Sequence, residues 1–294
     1  MSTDNMVNYR LMINDTLAVL VLYNTELEHS ESFISLSKNL ENSGSKMDIV
    51  VYDNSPEAVY EKESGFENWN IHYIHDSSNP GVSKAYNEGF KIGKKLNKKW
   101  LLLLDQDTTF PEEALIKYFE AMDTFKNSVM FAPVLTVNNK IYSPSAYYLK
   151  RGFHLKSIKA GLSTIRNRTL LNSGMCISLA AFEKIGGFNE KVRLYFSDFN
   201  FIDRYRRHYT DFIVLDTICE HKMFTIENKN AESQSKRFMY FCEGARNSSD
   251  NSVDFCIYFS SAFLRAIKLS AKFKTFGFIT VFFHNFIKNK GIKK

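Results

Sequence analysis

Cysteine is scarce and scattered in this chain. Cys176, Cys219, Cys242 and Cys256 are the four among 294 residues, with no C-x-x-C pair and no dense framework. That excludes a disulfide scaffold and fits free thiols in a reducing compartment. The opening residues, MSTDNMVNYRLMIND, have no apolar h-region, so no signal peptide is expected there. No run is long enough to span a bilayer. The most apolar late stretch, FGFITVFFHNFI, is short and interrupted by His284 and Asn285. Net charge is nearly absent up to residue 252, which sums to −1. The formal +6 therefore belongs to Val253–Lys294, with eight Lys or Arg and one acidic residue. Nothing else supports a nucleic-acid partner. At 44% hydrophobic residues, the chain has enough apolar material for a sizeable core.

What is present is an alternation of short apolar runs and helical patterns. TLAVLVLY (16–23), DIVVYDNS (48–55), IHYIH (71–75) and KWLLLLD (99–105) read as strands. SFISLSKNLENSG (32–44), SKAYNEGFKIGKKL (83–96) and PEEALIKYFEAM (111–122) read as helices, the first closed by Gly44 and the last opened by Pro111, Glu112 and Glu113. Continuous apolar strands joined through helices predict an α/β, Rossmann-like, mostly parallel sheet flanked by helices.

Ligands of such sheets bind outside the carboxyl ends of the strands. All four endings are polar: Tyr23-Asn24, Asp53-Asn54, Asp76 to Gly81, and Asp105 with Asp107. Two aspartates beside an apolar core cost several kcal/mol unless something positive answers them, so a cation is expected. Oxygen ligands with no Cys or His pair nearby suit Mg²⁺ or Mn²⁺ rather than zinc, and such a cation commonly also holds substrate phosphates.

Two enzyme classes place D-x-D after an apolar strand. LLLLDQDTT matches the D-x-D-x-T of haloacid-dehalogenase-like phosphatases, in which Asp105 would be the nucleophile. Three strand-helix units precede it here, however, and no downstream G-D-x-x-x-D pair follows. In order along the chain stand LAVLVLYN, DIVVYDNS, NPGVSKAYNEG, LLLLDQDT, LNSGMCISLAAFEKIGGFNE, YFSDFNFIDRYRR and CEH. Together, over roughly residues 16–224, they resemble the family-2 inverting glycosyltransferases of GT-A fold. DQD in place of DDD or DAD resembles the bacterial rhamnosyltransferase branch.

That resemblance implies a nucleotide-sugar site at Tyr23, Asn24, Asp53, Asn79, Gly81, Lys84, Asn87 and Asp105. It implies a metal site at Asp105, Asp107 and His221, Asp198 as catalytic base, and acceptor contacts from Asn200 and Arg204. In this reading Asp53 contacts base or ribose, Gly81 lets backbone approach the ligand, and Lys84 meets phosphate or base. Asn200 stands where the family usually has an acid. An amide takes no proton at neutral pH, so Asp198 is the better base and Asp203 a weaker claimant. Bland readings stay open beside these: Asp53 as a turn residue, Lys84 as a solvated lysine, Asp198 paired with Arg204, and His221 as a structural histidine. So does a non-catalytic nucleotide-sugar-binding relative.

The implied donor is a dTDP- or UDP-linked hexose and the implied acceptor a lipid-linked oligosaccharide of bacterial surface polysaccharide. The location expected is cytoplasmic, peripheral on the inner face of the membrane. Residues 1–230 are expected to form the catalytic domain, with a nucleotide-sugar half over about 16–135 and an acceptor half over about 136–230. Residues 231–294 are expected to form a basic, aromatic, C-terminal helical tail. There Phe255, Phe259, Ala262, Ala266, Leu269 and Phe273 fall on one helical stripe, with Arg265, Lys268, Lys272 and Lys274 off it. Such a segment suits an anionic membrane surface, or packs its stripe on the domain.

Overall fold

The computed structural model describes residues 3–60, 66–222 and 230–288, with side chains from Tyr9 onward. Its first part alternates as the apolar runs predict. Helix α1 (Thr3–Asp15) and strand β1 (Thr16–Leu22) are followed by α2 (Glu31–Ser43), β2 (Met47–Asp53) and β3 (Trp69–His75). Then come α3 (Val82–Lys95), β4 (Trp100–Asp105), the short β5 (Thr108–Thr109) and α4 (Ala114–Thr124). Pro111 to Glu113 form a turn that leads into α4 rather than its first turn, with the Ala114 N–H donating to the Pro111 carbonyl at 3.0 Å.

Strands β3, β2, β1 and β4 lie side by side and parallel, Leu17 standing between Asp48 and Leu101. Every residue of β1 is buried, which is why its sequence after Thr16 is an unbroken apolar run. Ala18, Leu20 and Leu22 belong to the core with Phe33, Leu36 and Phe119 of α2 and α4. Leu17, Val19 and Val21 belong to the opposite core with Ala85 and Tyr86 of α3.

Beyond β5 most pairings turn antiparallel. Strands β6 (Met130–Val137), β7 (Lys140–Tyr148), β8 (Arg151–Leu155), β9 (Gly161–Thr164) and β10 (Arg168–Thr169) precede β11 (Cys176–Ser178), which inserts antiparallel between β4 and β6. Helices α5 (Leu179–Ile185) and α6 (Ser197–Tyr205) precede β12 (Asp211–His221). Strand β12 runs parallel to β6 and ends antiparallel to β5, with His221 opposite Thr108. That last pairing carries a residue over a hundred positions away to the DQD turn. The fold is a mixed α/β sheet flanked by helices with a C-terminal helical region, as the GT-A resemblance implies.

Helices α7 (Ala231–Asn247), α8 (Ser252–Phe273) and α9 (Gly277–Phe282), the last continued by a π turn over Phe283–Ile287, form a third core around Phe238, Phe241, Tyr258, Phe278, Phe282 and Phe286. The expected tail stripe is found, and it faces inward: Phe255, Phe259, Leu269 and Phe273 pack on this core. These aromatics are therefore not the ones offered to a surrounding phase. A second apolar set is exposed instead, Leu264, Ile267, Phe276 at 82%, Phe283 and Ile287. Lys290, Lys293 and Lys294 lie outside the described residues. Among the described residues no helix is long and apolar enough to cross a membrane. Cys176, Cys219 and Cys242 are buried free thiols and Cys256 an exposed one.

Candidate active site

The strand order 3-2-1-4 reverses between β1 and β4, so a crevice opens where those two strands end. Gln106 bridges it. Its Oε1 accepts the Tyr23 N–H at 2.8 Å and its Nε2 donates to Thr25 Oγ1 at 2.7 Å. Asn24, in the left-handed region at φ 50°, donates its N–H to Ser55 Oγ at 2.8 Å. Beside them an open cleft of about 620 Å³ is lined by Asn24, Thr25, His29, Ser55, Pro56 and Val59.

Asp105 ends β4, and Asp107 follows two residues later, after Gln106. Polar anchors hold the turn: the Ser32 hydroxyl donates to the carbonyls of Asp105 and Thr108, and Ser173 Oγ accepts the Asp105 N–H at 3.2 Å. Ser173 also meets Thr108 Oγ1 at 2.8 Å, which in turn lies 2.8 Å from His221 Nδ1. His221, with 11% of its side chain exposed, stands 3.5 Å from Asp107 Oδ1. One ligand atom each from Asp105, Asp107 and His221 lie within 4.8 Å of one another.

Charge in this cluster is unanswered from within. Among the described residues no lysine or arginine pairs with Asp105, Asp107 or Asp198. Burial, then the Asp105 charge, push the Asp107 carboxyl up to about 6 against an opposing pull from His221. Burial likewise pushes Asp198 up to about 7; its own bond from the Phe199 N–H, 2.8 Å, opposes this, and Asp105 adds to it. The buried Tyr86 hydroxyl donates to Asp105 Oδ1 at 2.9 Å and is raised well above its ordinary value by burial and by the charges of Asp105, Asp107 and Asp198. Two carboxylates and an imidazole, crowded and short of positive charge, have the donor set a hard divalent cation takes.

Several residues expected to touch ligand are engaged elsewhere. Asp53 is fully buried; Oδ1 accepts the Ser55 N–H at 2.9 Å, and Oδ2 accepts the Val59 N–H at 3.0 Å and the Tyr73 hydroxyl at 2.5 Å. Burial raises its pKa, but these donors prevail and hold it below the usual carboxylate range. It shapes the 54–59 loop instead of facing a base. Asn79 sits in a turn at φ 47°, its N–H on the Asp76 carbonyl. Gly81 does permit a close approach, but of the chain itself: at φ 93°, an added Cβ would lie 2.2 Å from the Arg193 carbonyl oxygen. Lys84 pairs with Glu88 at 3.1 Å and Glu190 at 3.7 Å rather than waiting for phosphate. Asn87 accepts the Phe188 N–H at 2.8 Å and donates to the Phe188 carbonyl at 3.0 Å.

The acceptor pair is also turned inward. Asn200 is buried and accepts from Arg204 Nε at 3.2 Å, while Arg204 Nη1 donates to the Ile185 carbonyl at 3.3 Å. Neither is presented to a sugar, and Arg204 does not pair with Asp198. Asp203 is held by Lys150 at 2.8 Å, Arg206 at 3.5 Å and the Tyr147 hydroxyl at 3.0 Å, which removes it as a free base. Tyr86, Gln106 and Ser173 shape the site without having been singled out. All three lie inside the motifs quoted above, yet only tertiary contact reveals what their polar ends meet.

The family model described as glycosyl transferase family 2 matches residues 18–184, more than half of the chain. The chain belongs to glycosyl transferase family 2. Membership sets aside the phosphatase reading of Asp105. Asp198, Asn200, Arg204 and His221 lie beyond the matched residues. Among curated proteins no sequence matches. Solved structures share the fold at low identity. S. aureus TarS 1–349 is 13% identical at TM-score 0.50, covering 95% of this chain and 93% of that one. The same fragment in complex with UDP-GlcNAc is 12% identical at TM-score 0.51 with the same coverage. The longer TarS chain is 13% identical at TM-score 0.52, and there this glycosyltransferase covers 54% of the partner's length and 91% of its own.

Proposed function

We propose that this family-2 glycosyltransferase moves a hexose or deoxyhexose, rhamnose-like, from a dTDP- or UDP-linked donor to a sugar hydroxyl with inversion. Residues 1–230 serve as the catalytic domain. The observation that carries this reading is the convergence of Asp105, Asp107 and His221 with Asp198, two of whose carboxyls are pushed up to about 6 and 7. TarS structures hold UDP and UDP-GlcNAc, which supports a nucleoside diphosphate sugar as donor class here. The cleft beside Asn24 and Ser55 offers room for base and ribose.

A Mg²⁺ or Mn²⁺ ion on Asp105, Asp107 and His221 would supply positive charge to the departing diphosphate. The chain's own part follows from its protons. Burial lifts the Asp198 carboxyl far above the usual carboxylate range, up to about 7, which suits a base that takes the acceptor hydroxyl proton as that oxygen attacks the anomeric carbon. Displacement in one in-line step inverts the configuration. Tyr86 holds one oxygen of Asp105, and among the described residues no donor meets the other.

The test is release of nucleoside diphosphate from UDP- and dTDP-hexoses with Mn²⁺ or Mg²⁺. EDTA should abolish it, and Asp107→Ala should lower it by about three orders of magnitude, since a lost metal contact is worth several kcal/mol. Undiminished turnover in EDTA would overturn the metal assignment.

A lipid-linked oligosaccharide acceptor, in the synthesis of a bacterial surface polysaccharide at the inner face of the membrane, completes the proposal. Support comes from the exposed Leu264, Ile267, Phe276, Phe283 and Ile287 on the same helices as exposed Lys268, Lys272, Lys274 and Lys288. Each basic residue near anionic lipid should contribute on the order of 1 kcal/mol, weakened by salt. Co-sedimentation with phosphatidylglycerol vesicles should be strong at low salt, absent with neutral vesicles, and reduced in Phe276→Ser with Phe283→Ser. Equal binding to both vesicle types would remove the electrostatic part.

A further inference from the structure

The segment from Gly187 to Asp198 is a strap clamped from two sides. On one side stands the start of α3. Ser83 Oγ donates to the Val192 carbonyl at 2.5 Å, the Val82 N–H donates to the Arg193 carbonyl at 2.9 Å, and Asn87 brackets Phe188. On the other side stand the C-terminal helices. Asn247 Nδ2 donates to the Lys191 carbonyl at 2.8 Å, Arg193 pairs with Glu243 at 3.0 Å, and Arg237 Nε donates to the Tyr195 hydroxyl at 3.0 Å. Gly244 of α7 lies so close that an added Cβ would sit 2.3 Å from the Tyr195 carbonyl oxygen.

At the end of the strap Phe196 takes φ 69°, a region that bulky residues rarely occupy unless their surroundings dictate it. Its ring is set 4.8 Å from Phe241 and 5.1 Å from Tyr258, centroid to centroid, inside the core of the C-terminal helices. Its carbonyl accepts the Asn200 N–H at 2.8 Å and so opens α6, whose first turn carries Asp198. A second tie joins α6 to α8: Lys150 bridges Asp203 and Asp254 at 2.8 and 3.1 Å. The C-terminal helices thus grip the backbone on which the base sits.

We infer that Phe196 and Gly244 are positioning residues of the transferase: through them the C-terminal helical core sets the place of Asp198. The inference rests on the assignment of Asp198 as base. Removing the ring, or adding a Cβ at residue 244, should move the first turn of α6 while leaving the β1–β4 crevice intact. Misplacement of about 1 Å can cost 10²-fold in rate.

The experiment compares Phe196→Gly, Phe196→Leu, Gly244→Ala and Asp198→Asn in the full chain. Two readouts are used: UDP binding with Mn²⁺, and the pH profile of kcat for nucleoside diphosphate release from UDP- and dTDP-hexoses. Phe196→Gly and Gly244→Ala should keep UDP affinity, lose about 10- to 100-fold in kcat, and shift the acid limb of the profile from its parental position. Phe196→Leu, which keeps apolar bulk in the same core, should recover most of the loss. If Phe196→Gly does not fold, Gly244→Ala against Phe196→Leu makes the same comparison. Parental kcat and an unmoved acid limb in UDP-binding variants would overturn the positioning role. Should Asp198→Asn itself turn over at the parental rate, the base assignment falls and this inference with it.

Discussion

Asp198 and Asp203 stand five positions apart on one short helix, both largely withdrawn from water, and their surroundings are opposite. Around Asp203 and Asp254 the chain supplies its own cations: Lys150 reaches both, Arg206 adds a third contact, and the Tyr147 hydroxyl completes the shell. Around Asp198, Asp105 and Asp107 it supplies a tyrosine hydroxyl and one histidine. The first cluster is charge-matched and joins α8 to the sheet domain. The second is left short of positive charge, and two of its members are pushed toward neutrality. A buried acid answered by the chain's own lysine is architecture; one left unanswered is poised to take a proton or a metal from outside.

The sharpest way to break this contrast is to remove each charge on α6 and follow turnover. Asp198→Asn should lower nucleotide-sugar turnover by about 10²- to 10⁴-fold, the usual contribution of a positioned base. Asp203→Asn should instead lower the melting temperature and, because it loosens one of the two ties that hold α6, cost turnover per folded molecule far less than Asp198→Asn does. Asp203→Asn dead and Asp198→Asn active would reverse the assignment.

A smaller effect sharpens the contrast through stability. Lys150→Ala leaves Asp254 without its cation and Asp203 with Arg206 alone, and should cost roughly 3 kcal/mol. Asp107→Asn, in EDTA, should do the opposite. The folded carboxyl titrates near 6, above its unfolded value, so the stability it contributes is full in acid and is lost as pH rises through about 6. Removing that charge should therefore raise the melting temperature at pH 7 to 8, by a few degrees at most, and leave it nearly unchanged at pH 4. Thermal scans of both variants across that range decide it, and two shifts of the same sign at pH 8 would dissolve the distinction.

Much of the donor half was legible because its signals are local. An unbroken apolar run such as LAVLVL has to be covered on both faces, and TLAVLVLY, DIVVYDNS, IHYIH and KWLLLLD became β1, β2, β3 and β4 within a few residues. The D-x-D pair was legible for a similar reason, since two like charges at the end of such a strand are costly without a counter-charge. The antiparallel second half was not. Strands β8 to β10 are short, partly exposed and carry little periodicity, so nothing local marks them.

Side-chain roles divided along the same line. Residue types and order marked Asp105 and Asp107 as carboxylates in need of a counter-charge, and the family resemblance pointed to Asp198 and His221 beside them. The folded chain supplies the means by which His221 meets Asp107, because the pairing of β12 with β5 closes over a hundred residues of intervening sequence. Gly81, Lys84 and Asn87 read as ligand contacts and instead hold the strap, since a glycine at positive φ or an amide looks the same whether its neighbour is a phosphate or a carbonyl of the same chain. The tail's Phe255, Phe259 and Phe273 form a stripe in sequence, and periodicity cannot say which phase a stripe faces. Phe278, Phe282 and Phe286, folded back onto α8, turned it inward and left Phe276 and Phe283 outside. Periodicity and charge are properties of neighbours along the chain, whereas what a side chain meets is set by neighbours in space.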